Sequence, residues 1–480
     1  MIFNSIYYLL FVLVVFCIYW KIPHRLRCGL ILISNYVYLA SWDLRYSVLL
    51  SFVTIVSFGI GIYIEKTTEK RYRKSAVIFF ICVSIAILFF FKYFNFTSRT
   101  IAYLISSSGR KTEPLILDIT LPIGISFYTF QAIGYVLDVF RETTSAEHNL
   151  GYYAVFMSFF PQLTSGPIAR AGDLLPQIKS YPEFDYKKAT YGLKQMAWGY
   201  FKKIVIADTI SQFTGKVLND PSRFHGFALL LAAFQYSIQI YCDFSGYSDV
   251  ACGTAKLFGI ELTVNFRSPY YSQSIREFWN RWHISLSTWL RDYIYIPLGG
   301  NRKGNVRRNI NLLITFLISG LWHGASWTYV LWGLVHGLAQ IVENYILPKK
   351  KDKSSRGGLW FLRVVFVFFF CTLTWVLFSA HSFNDALYFF THLADGISSP
   401  VTYLHDGFTD LGFGKQAFAF MLPSMLLLML FDYFNTKEDV INRISGMRTS
   451  VRWIIYISFI LWMLISVPVR TSSEFIYFQF

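Results

Sequence analysis

Apolar runs of roughly 15–25 residues follow one another along almost the whole chain, and each is long enough to enter or cross the ~30 Å hydrocarbon core of a bilayer as a helix. In that solvent every backbone amide must find its partner inside the protein. A chain built this way folds as packed helices, and an open sheet edge is excluded. The composition agrees: 54% of the 480 residues are hydrophobic, only 15% are charged, and the mean hydropathy is +0.41. A soluble domain of this size needs more surface charge. The expected fold class is all-α, a polytopic integral membrane protein of about ten to twelve transmembrane helices, with re-entrant segments and cytoplasmic amphipathic helices.

The formal charge of +16 does not mark a nucleic-acid binder, because the basic residues cluster in short loops between apolar runs. That is the positive-inside pattern. It places Lys21 to Arg27, Glu65 to Lys74, the run 347–358 and Lys437 to Arg452 in the cytoplasm. It places 381–414, with four Asp and no Lys or Arg, on the far side. The first run, Ile2 to Trp20, carries its charge after the apolar stretch, so it reads as a retained helix rather than a signal peptide, with the N-terminus outside. The next spans fall near Leu30 to Trp42, Val48 to Ile64 and Ala76 to Phe94, the last leading into a polar loop at 96–118. Six cysteines without metal-ligand spacing read as packing residues.

Polar groups at membrane depth are costly and mark where chemistry resides. In "LPIGISFYTFQAIGY" (121–135) the small residues suit close helix packing and Gln131 is the one strongly polar group. "FFPQLTSGPIARAGDLLPQ" (159–177) has broken backbone that must be buried in protein or line a cavity, so a re-entrant segment is expected there. "QIYCDFSGYSDVA" (239–251) carries Asp243 and Asp249. They lack the company of a metal site, and Asp243 or Ser245 also suits an N-cap. "FWNRWHISLSTWLRDYIYIPLGGNRKG" (278–304) mixes Trp279, Trp282 and Trp289 with Asn280, Arg281, His283, Arg291, Arg302 and Lys303. Two readings stand: an amphipathic helix at the membrane interface, or a set of cations facing an anionic ligand. Its "GGNRKG" is not a phosphate-binding P-loop.

The fourth stretch is "LISGLWHGASW" (317–327), a histidine centred in an apolar run. Arg307 and Arg308 precede the run Ile310 to Leu321, and Lys349 to Lys351 follow the run Ala325 to Ile346, so the segment enters and returns. A first leg of about 12 residues would span roughly 18 Å and leave His323 near the turn, within the membrane. Gly320 and Gly324 would let the backbone turn and a substrate approach. A neutral buried imidazole is a competent general base; a histidine packed against a neighbouring helix is the alternative, and His336 is a weaker candidate. Neither a serine-hydrolase elbow nor an HExxH motif occurs, so no metal site is expected.

These residues, "FWNRWHISLSTWLRDYIYIPLGGNRKG" followed by "LWHGASWTYVLWGLVHG", together with "YCDFSGYSDVA" and "FFPQLTSGPIAR", resemble the membrane-bound O-acyltransferase family. The likeness covers nearly the whole chain, to the terminal "EFIYFQF". Within the family it is nearest the bacterial branch that acetylates alginate and other exported polysaccharides. The branch that transfers D-alanine to teichoic acid shares "FWNRWH" and "WHG".

The resemblance implies one membrane domain over 1–480, with its signature core at 121–346 and C-terminal helices at 360–480, and a ring of helices whose funnels meet at the catalytic histidine. That residue is His323. A second polar residue some forty positions upstream corresponds to His283 or Asn280. The resemblance also implies acetyl transfer from a thioester donor, acetyl-CoA or an acyl carrier, with no bound cofactor. The donor would dock around Asn280, Arg281, Trp282, Arg302, Lys303 and Asp243. The other implied partners are the lipid bilayer, a polysaccharide acceptor and an exported serine esterase-like protein, with the bacterial cytoplasmic membrane as the location and no nucleic acid. A transporter using His323 as a proton relay is the rival from another class, and it would need a chain of ionisable groups across the membrane.

Overall fold

The computed structural model describes residues 1–164, 166–180, 182–346, 357–412 and 415–466. Most of the basic run 347–358, with Lys349 to Lys351, and the terminal "EFIYFQF" lie outside the described residues. The helices are α1 (Ile6–Lys21), α2 (His24–Ala40), α3 (Leu44–Lys66), α4 (Lys70–Leu88), α5 (Phe94–Ser107), α6 (Ile125–Phe140), α7 (Leu150–Ser158), α8 (Phe160–Leu163), α9 (Ala171–Lys179), α10 (Tyr186–Tyr200) and α11 (Asp208–Asn219). They continue with α12 (Phe227–Leu257), α13 (Ile275–Arg281), α14 (Ile284–Leu290), α15 (Gly304–His323), α16 (Trp327–Ile346), α17 (Gly358–Ser379), α18 (Phe383–His392), α19 (Pro400–Asp410), α20 (Lys415–Asn435), α21 (Val440–Ser445) and α22 (Thr449–Ser466). No strand occurs among the described residues, and the fold is all-α.

Among the described residues, five segments are long and apolar enough to cross a bilayer: Leu44–Lys66, Lys70–Ser107, Phe227–Leu257, Gly358–Ser379 and Thr449–Ser466. Ile6–Lys21, Ile125–Phe140 and Ala419–Asn435 are apolar but shorter. The count of ten to twelve is higher than this because it also takes in apolar helices shorter than a full crossing and helices such as α15, whose opening turn carries Arg307, Arg308 and Asn309. The polar loop expected at 96–118 begins later than the sequence suggested. After a π-helical turn at Phe89–Tyr93, the helix continues through Asn95, Thr97 and Arg99 to Ser107. Those residues lower the hydropathy without breaking the helix. The break comes at Gly109, whose φ of 88° is a left-handed conformation.

The chain forms two compact units, one of residues 1–193 and 251–263, the other of 194–250 and 264–480. In the first, α6 is buried along nearly its whole length. Gln131 donates from Nε2 to the Phe156 carbonyl at 2.7 Å, and Gln162 donates to Gln131 Oε1 at 3.3 Å. The broken stretch around α8 is buried, as irregular backbone in a membrane protein must be. Asn35 on α2 supports it by accepting from the Phe160 amide at 3.0 Å and donating to Ser158 Oγ at 2.9 Å.

The second unit has a core dense in aromatic rings, with Trp279, Trp282, Trp332, Trp375 and Phe378 all buried. Among the described residues, helices α15 and α16 pack more extensively on each other than any other pair. Their closeness rests on Gly320 and Gly333, where a methyl group would collide with the backbone oxygens of Tyr329 and Phe316 respectively.

Candidate active site

His283 sits at a deliberate break between two short helices. Ser274 caps α13 by accepting from the Glu277 amide, and α13 ends at Arg281. The chain then reverses through Trp282, and His283 takes a left-handed conformation at φ 44°, ψ 54° before α14 begins. A non-glycine residue there is uncommon and held by its surroundings. Asn265 supplies part of that hold: its carbonyl accepts from the Ile284 amide at 3.0 Å and its Oδ1 from the Ser285 amide at 3.2 Å. The His283 ring is fully buried, with Phe244 of α12 edge-on at 4.7 Å.

His323 is the last residue of α15. The helix has 20 residues and starts at Gly304, so this leg is about 30 Å long and not the roughly 18 Å read from its apolar run. Arg307, Arg308 and Asn309 are helical, and a hydropathy count omits that turn. Gly324 has extended backbone, and the Tyr329 ring fills the space a side chain would occupy. Its smallness therefore serves packing, not the substrate access expected for it. His323 is 2% exposed and lies among Trp322, Trp332 and Phe378, with ring centroids at 5.1, 5.1 and 5.2 Å.

The two histidines meet, with ring centroids 6.4 Å apart. Asn280 does not join them. It is exposed and lines a cavity of about 710 Å³ in the same unit. That cavity is walled by Trp279 and Asn280 of α13, by Ser287 and Thr288 of α14, and by Arg308, Thr315, Phe316 and Ser319 of α15. Ser319 lies one helical turn before His323. Three arginines, Arg276, Arg291 and Arg308, line the cavity, and no carboxylate does among the described residues. Arg291 pairs with Asp292 at 2.7 Å, whereas the Arg276 and Arg308 guanidinium groups bond the amide oxygens of Asn344 and Asn309. Two of the three thus keep their charge uncompensated by a carboxylate in these contacts.

Of the other residues read from the sequence, Arg281 pairs with Glu277 at 2.6 Å, and Trp282 packs in the core between Phe278 and Trp375. Arg302 and Lys303 are exposed in the turn before α15 and are not in the cavity wall. Asp243 lies in the middle of α12, as does Ser245, so neither is an N-cap. Asp243 accepts from Lys203 Nζ at 2.6 Å, and Asp208 takes the same ammonium at 2.9 Å. Lys202 pairs with Asp249 at 2.6 Å and donates to Ser245 at 2.8 Å. Tyr241 donates to Asp432 at 2.6 Å. Asp243 therefore belongs to a buried ion cluster. Adjacent lysines inside the apolar stretch "GYFKKIVIAD" were the legible sign of it. Arg276 and Asn265 carried no sign, being single polar residues whose roles depend on tertiary contacts.

The family model matching this chain is that of the membrane-bound O-acyltransferases, over residues 79–383. The chain is also 39% identical over 395 residues to a protein of Azotobacter vinelandii named probable alginate O-acetylase, covering 80% of this chain and 76% of that one. The chain belongs to the membrane-bound O-acyltransferase family. A second member, the peptidoglycan O-acetyltransferase of Helicobacter pylori, is 35% identical over 397 residues, 77% of this chain and 74% of its own. A third, the teichoic acid D-alanyltransferase of Streptococcus thermophilus, is 32% identical over 256 residues, 49% of this chain and 60% of its own. As a membrane-bound O-acyltransferase, the protein is a multi-pass membrane enzyme that transfers acyl groups.

Proposed function

We propose that the enzyme moves acetyl from a thioester donor to a hydroxyl of an exported cell-surface polysaccharide. The transfer would be direct or through the serine of an exported esterase-like partner, in the bacterial cytoplasmic membrane. The observation that carries the reading is the meeting of His283 and His323, buried together one helical turn beyond the reach of a cavity lined by arginines. Arg276, Arg291 and Arg308 suit the phosphates of acetyl-CoA or of an acyl carrier's prosthetic arm, because guanidinium groups bind phosphate in a planar fork. They replace Arg281, Arg302 and Lys303 in that role, and Asn280 joins them as a wall residue. Asp243 acts through structure and not through the donor.

In this mechanism His323 takes the proton of the acceptor hydroxyl. The oxygen attacks the thioester carbonyl, and the negative charge that develops on the carbonyl oxygen is met by His283 as a neutral donor. Collapse expels the thiolate, which takes the proton back from His323, so the ester and free thiol form with no net proton change. The aromatic walls around His323 keep water from competing for the thioester.

The test is the ester-linked acetyl content of exported polysaccharide in three strains: one lacking the protein, one complemented, and one complemented with His323→Ala at matched membrane levels. Loss in the first and restoration by the native protein alone supports the reading. Unchanged acetyl in all three rejects it and turns the assay to ester-linked D-alanine, the product class of the Streptococcus thermophilus relative.

A further inference from the structure

We propose that His336 is a positioning residue, one that holds the cavity wall and the catalytic histidine in register without taking part in proton transfer. The inference rests on the donor reading above. His336 lies on α16, completely buried. Trp279 Nε1–H donates to its Nδ1 at 3.3 Å. A ring nitrogen that accepts carries no proton, so the ring is neutral and its hydrogen is on Nε2. That nitrogen stands 3.0 Å from Thr374 Oγ1 on α17, to which it donates. Thr374 in turn donates to the Cys371 carbonyl at 2.9 Å. The direction of every bond is thereby fixed, and neither nitrogen is left for a substrate proton.

Two ring neighbours of His336, Trp279 and Trp332, touch the two halves of the site. Trp279 is a wall residue of the arginine-lined cavity. Trp332 lies between the histidines of α15 and α16, its ring centroid 4.9 Å from that of His336 and 5.1 Å from that of His323. His336 thus ties three helices, α13, α16 and α17, at the level where the cavity gives way to His323. Without its two bonds, the buried Trp279 indole N–H loses its acceptor and the Thr374 oxygen loses its donor, and the Trp279 and Trp332 rings are free to shift.

The experiment uses the purified full-length protein in lipid nanodiscs, with acetyl-CoA as the probe, a sugar and a serine-bearing protein offered in parallel as acceptors, and released thiol as the readout. Thermal unfolding of each variant gives its folded fraction. His336→Gln keeps an acceptor oxygen and a donor amide, so it should remain within about three-fold of the native kcat/KM. His336→Leu should raise KM about five-fold and lower kcat per folded molecule about ten-fold. Thr374→Val, which touches neither cavity nor His323, should move both in the same direction by a smaller factor, and it decides the matter if the leucine variant does not fold. Trp279→Phe should raise KM.

The inference is overturned if His336→Gln is as impaired as His336→Leu, since the ring's own chemistry would then be needed. It also fails if Leu and Val variants match the native enzyme, or if every loss tracks folded fraction with KM unchanged. Native protein without His323-dependent thiol release overturns the donor reading, and this inference falls with it.

Discussion

The rings of His283 and His323 lie edge to face, 6.4 Å between centroids and inclined by 61°. One comes from a left-handed break between two short helices and the other from the last residue of a long one. That spacing is within the range of an edge-to-face ring pair, so the two imidazoles are packed neighbours in one buried cluster.

If the pair works as base and oxyanion donor, its members should fail together. His323→Ala should lower single-turnover acetyl transfer by about 10³-fold or more, and His283→Ala by about 10²-fold. The double variant should be no worse than His323→Ala alone, because residues acting as a unit are not additive. Independent, multiplying losses would mean that the two rings serve separate steps.

The cavity makes a different kind of prediction. Arg276→Ala and Arg308→Ala should raise KM for acetyl-CoA about five-fold or more with little change in kcat, since both groups bind ground state and transition state alike. Arg302→Ala, exposed in the turn before α15, should leave KM within about two-fold. The native KM should rise with ionic strength, and that dependence should weaken in the Arg276 and Arg308 variants. Steady-state kinetics across a salt series checks all three.

The sequence made the helical membrane fold legible because apolar runs and basic loops are local signals. His323 was legible for the same reason, as a lone polar group in an apolar run. The choice between His283 and Asn280 was not, although they are neighbours in one motif. The break after α13 turns one inward and leaves the other on a cavity wall, and that break depends on Asn265, well upstream. Which cations line the cavity was hidden for a related reason. Arg281, Arg302 and Lys303 stand together in the sequence, whereas Arg276, Arg291 and Arg308 come together only when α13, α14 and α15 pack. Hydropathy also shortened α15, since it cannot see that an arginine-bearing turn continues a helix.

The buried ion cluster should show an asymmetry. Lys203 is 2% exposed and serves two carboxylates, Asp208 and Asp243. Lys203→Met strands both, and removing one partner of a buried pair costs about 3–5 kcal/mol. Asp243→Asn leaves Lys203 paired with Asp208 and should cost no more than about 1–3 kcal/mol. Thermal unfolding in one detergent should therefore place Asp243→Asn between the native protein and Lys203→Met. The reverse order would mean that Asp243 carries the cluster.

Gly320 offers a test of the α15–α16 hairpin. A methyl group there would strike the Tyr329 carbonyl, and backbone cannot step aside as a side chain can. Gly320→Ala should destabilise by about 1–3 kcal/mol, as overpacking does. Gly215, with open space around it, should accept alanine with no comparable loss. Since His323 is three residues beyond Gly320, the alanine variant should also lose transfer activity per folded molecule.

The backbone of His283 separates what its ring does from what its position demands. A left-handed φ of 44° costs most residues about 1–3 kcal/mol, is tolerated best by glycine and asparagine, and is worst for a β-branched side chain. His283→Asn should keep stability within about 1 kcal/mol of native and, with an amide donor near the ring's place, keep more transfer activity than His283→Ala. His283→Val should be the least stable of the three, by about 2 kcal/mol or more relative to Asn, and no more active than Ala. The two scales then disagree in an informative way: stability follows tolerance of the left-handed conformation, Asn above Ala above Val, while activity follows the presence of a donor, Asn above Ala and Val together. Unfolding and single-turnover transfer measured on the same three preparations test both. Asparagine and alanine variants equal in activity would remove His283 from the chemistry and leave it as the hinge residue between α13 and α14.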